Sequence, residues 1–521
     1  MWAFCLCNRF PTTAVLRQDG PHTVFVGNKL PNAQNSRMAK TVKKHGRVYT
    51  PDYLVDLILD FGGYDSPILL KKHVIDNSCG DGAFLKEIVR RYCTLFLKES
   101  NDLSVLKQDL ETYIHGIELD ADECKSCIHN LDDIVTEYNL SNVNWDVLNA
   151  DTLSVVRYNG KMDYVFGNPP YVRVHNLDNS YESVKGFKFA EGGMTDLFIV
   201  FFEIGFNMMS NDGQMCLITP SSWLNSVAGA NLRKYIMLYQ NMTGVVDLEH
   251  FQPFEATTYT LISRFNKIKH TSVVSYYIFD ENKREKKFVE ELQYTDIQIG
   301  KSFHLAQKKS LDMLREIKTG YSHSYVSVKN GFATLADKVF IGDFDFTEGT
   351  IKVLKASTGE WRRCIYPYDK NGRPMTEDEF KKYERAYNHL FSNQERLTKG
   401  RDVEDDKYWY LFGRTQALKD VSRRKYAINT IIKDISSVKL ECVPEGCGLY
   451  SGLYILTEID FEEIERLVKL EDFINYVRLL KNYKSGGYYT FASKDLEHYL
   501  NYQLTKKYGQ SRISISSRRL F

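Results

Sequence analysis

The sequence predicts an α/β fold built on a doubly wound, mostly parallel sheet, followed by a second, α+β region. Three observations carry this expectation. Four apolar runs (near residues 72–76, 113–117, 143–149 and 163–167) each end in a polar residue and alternate with helix-length amphipathic stretches, the pattern of βαβ units. The first run opens through Asn77-Ser78-Cys79-Gly80-Asp81-Gly82 into a helix from about Ala83 to Lys98. The fourth ends in Gly167-Asn168-Pro169-Pro170-Tyr171, where two prolines cannot continue a strand and force a stiff exit from the sheet.

Composition bounds the function classes. A chain of 521 residues holds two or more domains. No stretch approaches the roughly 18 apolar residues of a membrane span. The segment from Met1 to Phe10 is apolar but lacks the basic start and cleavage site of a signal peptide. A membrane partner is therefore not expected, and a bacterial-type cytosol is the expected location. The ten cysteines are scattered; Cys124/Cys127 and Cys442/Cys447 are the close pairs, and neither has a second pair at zinc spacing. They read as reduced thiols, with no metal site. Residues 301–521 carry 38 Lys and Arg against 30 Asp and Glu, whereas residues 1–300 carry 30 against 37. A basic second half suits a polyanionic partner.

Taken in order, residues 1–40 show no sustained period and read as a disordered N-terminal extension, with Met38 a candidate natural start. Thr50 before Pro51 starts an amphipathic helix over about Asp52–Asp60. Lys72 to Asp76 reads as a short buried strand, and the glycine loop after it lets backbone approach a ligand at a helix N-terminus. The third glycine of a dinucleotide fingerprint is missing, because Phe84 and Leu85 follow. Tyr113 to Glu118 is a strand ending in an acid. Val143 to Asp151 is a third, ending in Asn149-Ala150-Asp151. Residues 172–194 form a polar loop with Arg173, Lys185 and Lys188, and Asp196 to Met209 is a strongly apolar helix. Gly213 to Pro220 is another buried strand, followed by Ser221-Ser222-Trp223-Leu224. Strands at Val245–Leu248 and Tyr259–Ile262 flank the turn Phe251-Gln252-Pro253-Phe254-Glu255-Ala256. The expected domains are 41–275, a charged linker over 276–300, and 301–521. The last opens one of its helices with a Thr376/Glu379 capping box.

These pieces together resemble the gamma-type (TaqI-like) N6-adenine DNA methyltransferases of type II restriction-modification systems. The resemblance rests on GRVYTP (46–51), DNSCGDG (76–82), Glu118, Asp151, NPPY (168–171), TDLFIVFFE (195–203), TPSSWL (219–224) and FQPFEATTYTLI (251–262), and covers about residues 41–270. A stretch from Gly82 to Glu118 longer than a minimal βαβ unit implies an insertion near 99–112. The resemblance implies the S-adenosylmethionine-dependent methyltransferase fold over 41–275 and a DNA target-recognition domain over 301–521. It implies S-adenosylmethionine as the cofactor, with Val48, Tyr49 and Thr50 at its methionine end, and Asp76, Asn77, Cys79 and Gly80 forming its loop. Glu118 is expected on the ribose, Asp151 on the adenine amino group and Phe201 against the adenine ring.

In the same reading Asn168, Pro169, Pro170 and Tyr171 form the catalytic pocket for an adenine flipped out of double-stranded DNA. The Asn168 side-chain oxygen and the Pro169 carbonyl would accept from the adenine amino group, whose lone pair is otherwise delocalised into the ring. Tyr171 and Phe254 would stack on the base, with Phe251 the runner-up to Phe254. Arg423, Arg424 and Lys484 are candidate DNA contacts, and a separate restriction endonuclease is the expected companion. An RNA or protein methyltransferase with the same pocket, or a non-catalytic DNA-binding homologue, are the alternatives.

Overall fold

A computed structural model describes residues 49–174, 184–191, 195–254, 258–268, 270–399 and 408–517, the last with side chains to 509. The expected N-terminal extension, Met38 and Val48 lie outside the described residues. Arg47–Phe521 is one compact unit. No helix among the described residues is long and apolar enough to cross a membrane, and none of their His, Cys, Asp and Glu side chains cluster as a metal site.

A nine-stranded sheet organises the first half, in the order β3-β2-β1-β4-β5-β7-β6-β8-β9. Its strands are β1 Val74–Asp76, β2 Ile114–Glu118, β3 Asp146–Asn149, β4 Met162–Gly167, β5 Met209–Pro220, β6 Met242–Asp247, β7 Thr260–Asn266, β8 Val273–Asp280 and β9 Glu285–Gln293. Seven run in one direction; β7 and β9 oppose them. Alternate residues feed two cores, as a period-two strand covered on both faces requires. Val74, Tyr164, Phe166, Cys216 and Ile218 pack on one side. Ile75, Val165, Met215 and Leu217 pack on the other.

The first core is closed by α1 (Asp52–Phe61), α2 (Ala83–Glu99), α3 (Leu103–Tyr113) and α4 (Ala121–Thr136), whose Leu54, Ile88, Leu110 and Leu131 are buried in it. The second is closed by α5 (Leu197–Met208) and α6 (Ala230–Tyr239). The expected insertion near 99–112 is α3, started by Asp102, whose carboxylate accepts from the Ser104 and Val105 amides.

Residues 276–300, expected as a linker, are instead the end of β8, all of β9 and the turn after it. The charges between Asp280 and Lys287 concealed a strand pair whose Val274, Tyr276 and Leu292 point into the core. Charged residues on β9 suit an edge strand, where they discourage pairing with another chain.

The second half is α+β. A four-stranded sheet joins Val326–Asn330, Leu453–Thr457, Lys425–Ile428 and Leu440–Val443, and a second one lies over Ile341–Gly342, Glu360–Ile365, Thr350–Lys355 and Gly448–Tyr450. The Thr376/Glu379 capping box is present. The helix it opens is short, Glu377–Lys381, and two further short helices follow it. The core on the α5 face runs on into this half through Leu311, Val326, Tyr476 and Tyr499.

Candidate active site

The strand order reverses direction at β1 and β4: β2 and β3 follow on one side of β1, and β5 lies beyond β4. Open α/β sheets bind ligands at the carboxyl ends of the strands flanking such a switch point. Here those ends are Asp76 and Asn168. Asp76 pairs with Phe166 across the ladder, so Gly167 meets the Asp76 side chain directly. A Cβ on Gly167 would stand 2.8 Å from Asp76 Oδ1, and only glycine lets the two strand ends close.

Asp76 is almost fully buried. Burial pushes its carboxyl up from the ordinary 3.8 to about 7; the Ser78 amide opposes this and the Glu118 carboxylate adds to it. The folded state therefore holds a proton that the unfolded chain loses above 3.8. Stability from this group is full below that pH and is lost as pH rises to about 7. Asp76→Asn, neutral throughout, is expected to raise the unfolding temperature of the cofactor-free protein at pH 8, with the advantage vanishing by pH 3.8. Thermal unfolding across that range checks it.

The glycine loop follows. Gly80 has a φ of +53° and Gly82 of +90°, both in the left-handed region that glycine tolerates. A Cβ on Gly80 would meet nothing within 4 Å, so that side of the loop is open. Glu118 ties the loop down: its Oε2 accepts from the Gly80 amide at 2.9 Å and its Oε1 from the Asp120 amide at 2.8 Å. Each oxygen keeps a second lone pair for a ligand hydroxyl. Asp151 lies past the end of β3, where its carboxylate also accepts from the Leu153 amide.

Cys79 and Asn77 stand in the loop but turn their side chains away from its open side. The Cys79 thiol sits in the α2/α4 core against Cys127, and that contact together with burial raises it well above its ordinary value. Asn77 is fully buried and its Nδ2 faces Met208 Sδ at 3.9 Å. Their backbones hold the loop in shape: the Cys79 amide donates to the Ile117 carbonyl at 3.0 Å, and the Asn77 carbonyl accepts from Thr152 Oγ1 at 2.7 Å. Phe201 is buried on α5 yet belongs to neither core that flanks the sheet.

Asn168 is held from two sides. Its Nδ2 donates to Thr50 Oγ1 at 3.1 Å, and its backbone carbonyl accepts from Ser78 Oγ at 3.4 Å. Thr50 was expected to start α1; Pro51 is the N-cap instead, and the Thr50 hydroxyl is buried against the asparagine. Fixing Nδ2 on Thr50 turns Oδ1 the opposite way. Neither Thr50 nor Ser78 as an asparagine partner was legible in sequence, because 118 and 90 residues separate them from Asn168. Tyr49 is 58% exposed, with its hydroxyl on Glu123.

The Tyr171 hydroxyl donates to the Ile218 carbonyl at 3.3 Å, and burial holds it well above its ordinary pKa. Its ring meets Phe254 at 6.2 Å and Phe198 at 6.3 Å, each at 75°. Tyr171 and Phe254 thus make a corner, not a parallel sandwich. Phe251 packs on Phe279 at 5.0 Å. Among the candidate DNA contacts, Arg423 lies 3.6 Å from Asp420, the Arg424 guanidinium covers the Tyr426 ring, and Lys484 is exposed.

Residues 83–254 match the family model described as Eco57I restriction-modification methylase. The chain is 28% identical over 300 residues to the Type II methyltransferase M.BstVI of Geobacillus stearothermophilus, covering 53% of this chain and 50% of that protein. It is 23% identical over 476 residues to the Type II restriction enzyme and methyltransferase RM.Eco57I of Escherichia coli, covering 72% and 48%. The chain spans about half the length of these two curated relatives. The Type IIL restriction-modification enzyme MmeI, solved in complex with DNA, shares the fold with a TM-score of 0.58 at 12% identity, over 89% of this chain and 65% of that one. The methylase family implies S-adenosylmethionine as the cofactor. The residues present fit it: carboxylates at the ends of β1 and β2 and after β3 suit a cationic nucleoside, and the open side of Gly80 leaves room for it.

Proposed function

From a chain that carries an Eco57I-like restriction-modification methylase domain over residues 83–254, we propose a site-specific DNA methyltransferase acting on the N6 amino group of an adenine flipped out of the duplex. The observation that carries the reading is the Asn168 amide at the switch point, clamped by Thr50 and flanked by the Tyr171–Phe254 corner.

S-adenosylmethionine, when bound, supplies a methyl group already activated by a positive sulfur. The chain has two remaining tasks. The first is to hold the cofactor. Glu118 would take the ribose hydroxyls with its spare lone pairs, Asp151 the adenine amino group and Phe201 the adenine face. The backbone of Asn77, Cys79 and Gly80 would form the loop around it, with Asp76, Thr50, Tyr49 and Val48 at the methionine end. The second is to prepare the acceptor. With Nδ2 committed to Thr50, Asn168 offers its oxygen, and Pro169 its carbonyl, to the two amino protons. Accepting both draws the nitrogen lone pair out of the ring, and Pro170 keeps the turn stiff. Orientation of this kind can supply several kcal/mol.

Flipping the base costs a few kcal/mol, and stacking on an aromatic returns roughly 1–3 kcal/mol. The 75° corner supports a base lying on the face of one ring and against the edge of the other. Residues 301–521 would read the sequence through base-edge and phosphate contacts, and a separate endonuclease would be the companion of this modification enzyme. Single-molecule sequencing of DNA from cells expressing the protein tests the whole reading. N6-methyladenine in one sequence context is expected; methylation confined to cytosine, or transfer only to RNA or protein in a labelled-donor assay, would overturn it.

A further inference from the structure

The turn that carries Phe254 leaves the sheet at the end of β6, whose last residue is Asp247, a buried carboxylate with two distinct jobs. Oδ1 accepts from the Glu249 amide at 2.8 Å and so shapes the exit, with Glu249 at a φ of +49°. Oδ2 accepts from Lys481 Nζ at 2.7 Å. Lys481 belongs to the second half of the chain, 234 residues away, just beyond the helix Glu471–Leu479.

Lys481 is itself unusual. It adopts a φ of +52°, a conformation that residues with a Cβ seldom take unless the surroundings impose it. Its ammonium also reaches the Tyr276 hydroxyl at 2.8 Å and Glu249 at 3.5 Å. Burial, the largest single influence, pulls its pKa down, but Asp247, Tyr483, Tyr276 and Glu249 together outweigh it and hold the ammonium well above its ordinary value.

The neighbours of Lys481 hold the same turn. The His250 ring packs on Tyr483 at 4.5 Å and on Tyr489 at 4.8 Å. Asn482 Oδ1 accepts from Asn225 Nδ2 at 3.2 Å, reaching the segment after β5. A cavity of about 280 Å³ opens beside these contacts, lined by Ser222, Tyr259, His304 and Leu480 among others. The ion pair is therefore a strut across a gap, not one contact within a filled core.

We propose that Lys481, through Asp247, is a positioning residue that sets the turn 248–254, and with it Phe254, from the second half of the chain. The inference rests on the reading of Tyr171 and Phe254 as the base corner. It makes the base corner responsive to how residues 471–490 sit on the sheet.

The test must separate a strut from plain stability. Lys481→Met alone strands a buried carboxylate, and unfolding would obscure the result. The double variant Asp247→Asn/Lys481→Met removes both partners of the buried pair; Glu249, which also loses the ammonium, is 46% exposed and is left to solvent rather than stranded. Wild-type and double-variant proteins would be compared by thermal unfolding, by calorimetric binding of S-adenosylmethionine, and by hydrogen exchange over residues 248–254. Transfer of labelled methyl groups to unmethylated genomic DNA completes the set. The double variant is expected to unfold and bind cofactor close to wild type, to exchange faster over 248–254, and to transfer methyl groups about 100-fold more slowly. Wild-type turnover in the double variant, or unchanged exchange over 248–254, would overturn the inference alone. Wild-type protein that binds cofactor yet methylates no DNA would overturn the underlying reading, and this inference with it.

Discussion

Asn168→Ala is expected to cut methyl transfer by about 100- to 1,000-fold, the scale on which removal of one preorganised polar group in an active site is felt. The substitution leaves β4 and the two prolines in place and removes the amide oxygen that would accept from the target amino group. It also strips Thr50 Oγ1 of the donor 3.1 Å away. Cofactor affinity, measured by calorimetry, should stay within a few-fold, because loop contacts through Glu118 are untouched. Two companions grade the effect. Asn168→Asp keeps an acceptor of similar shape and adds charge, so its loss should be smaller. Thr50→Val keeps the buried volume but removes the acceptor of the asparagine amide, and should fall between the wild type and Asn168→Ala. An Asn168→Ala enzyme with wild-type turnover would remove Asn168 from the chemistry.

Glu118→Ala should act on the other side of the site and by another route. The carboxylate is the acceptor for two backbone amides, Gly80 and Asp120. Asp120 in turn caps α4. Losing that acceptor leaves donors unsatisfied at a cost of about 1–3 kcal/mol, and it releases the open loop at Gly80. Cofactor affinity is expected to fall about 100-fold or more, as two charge-assisted hydrogen bonds to ribose would be lost with the loop geometry. Glu118→Gln keeps the size and one acceptor oxygen, so it should restore much of the stability and little of the affinity. Calorimetry and thermal unfolding, run in parallel, separate the two. Unchanged cofactor binding in Glu118→Ala would exclude Glu118 as a ribose ligand.

What the sequence by itself determined is the part written in local pattern. Short continuous apolar runs ending in polar residues made the parallel strands readable, and the prolines at 169 and 170 marked where β4 must stop. The glycines at 80 and 82 marked a loop open to a ligand. Charge misled at 276–300, because an edge strand is charged on its outer face and reads like a linker. Strand order, and hence the meeting of Asp76 with Gly167, came only from the tertiary structure, since hydrogen bonding between strands joins residues 90 positions apart. The same holds for Thr50 on Asn168, for the Cys79 side chain facing the core, and for Lys481 on Asp247. Each depends on which way a side chain points once the sheet has twisted and the helices have docked. A one-dimensional period fixes which residues are buried; only the closed fold fixes what each of them meets.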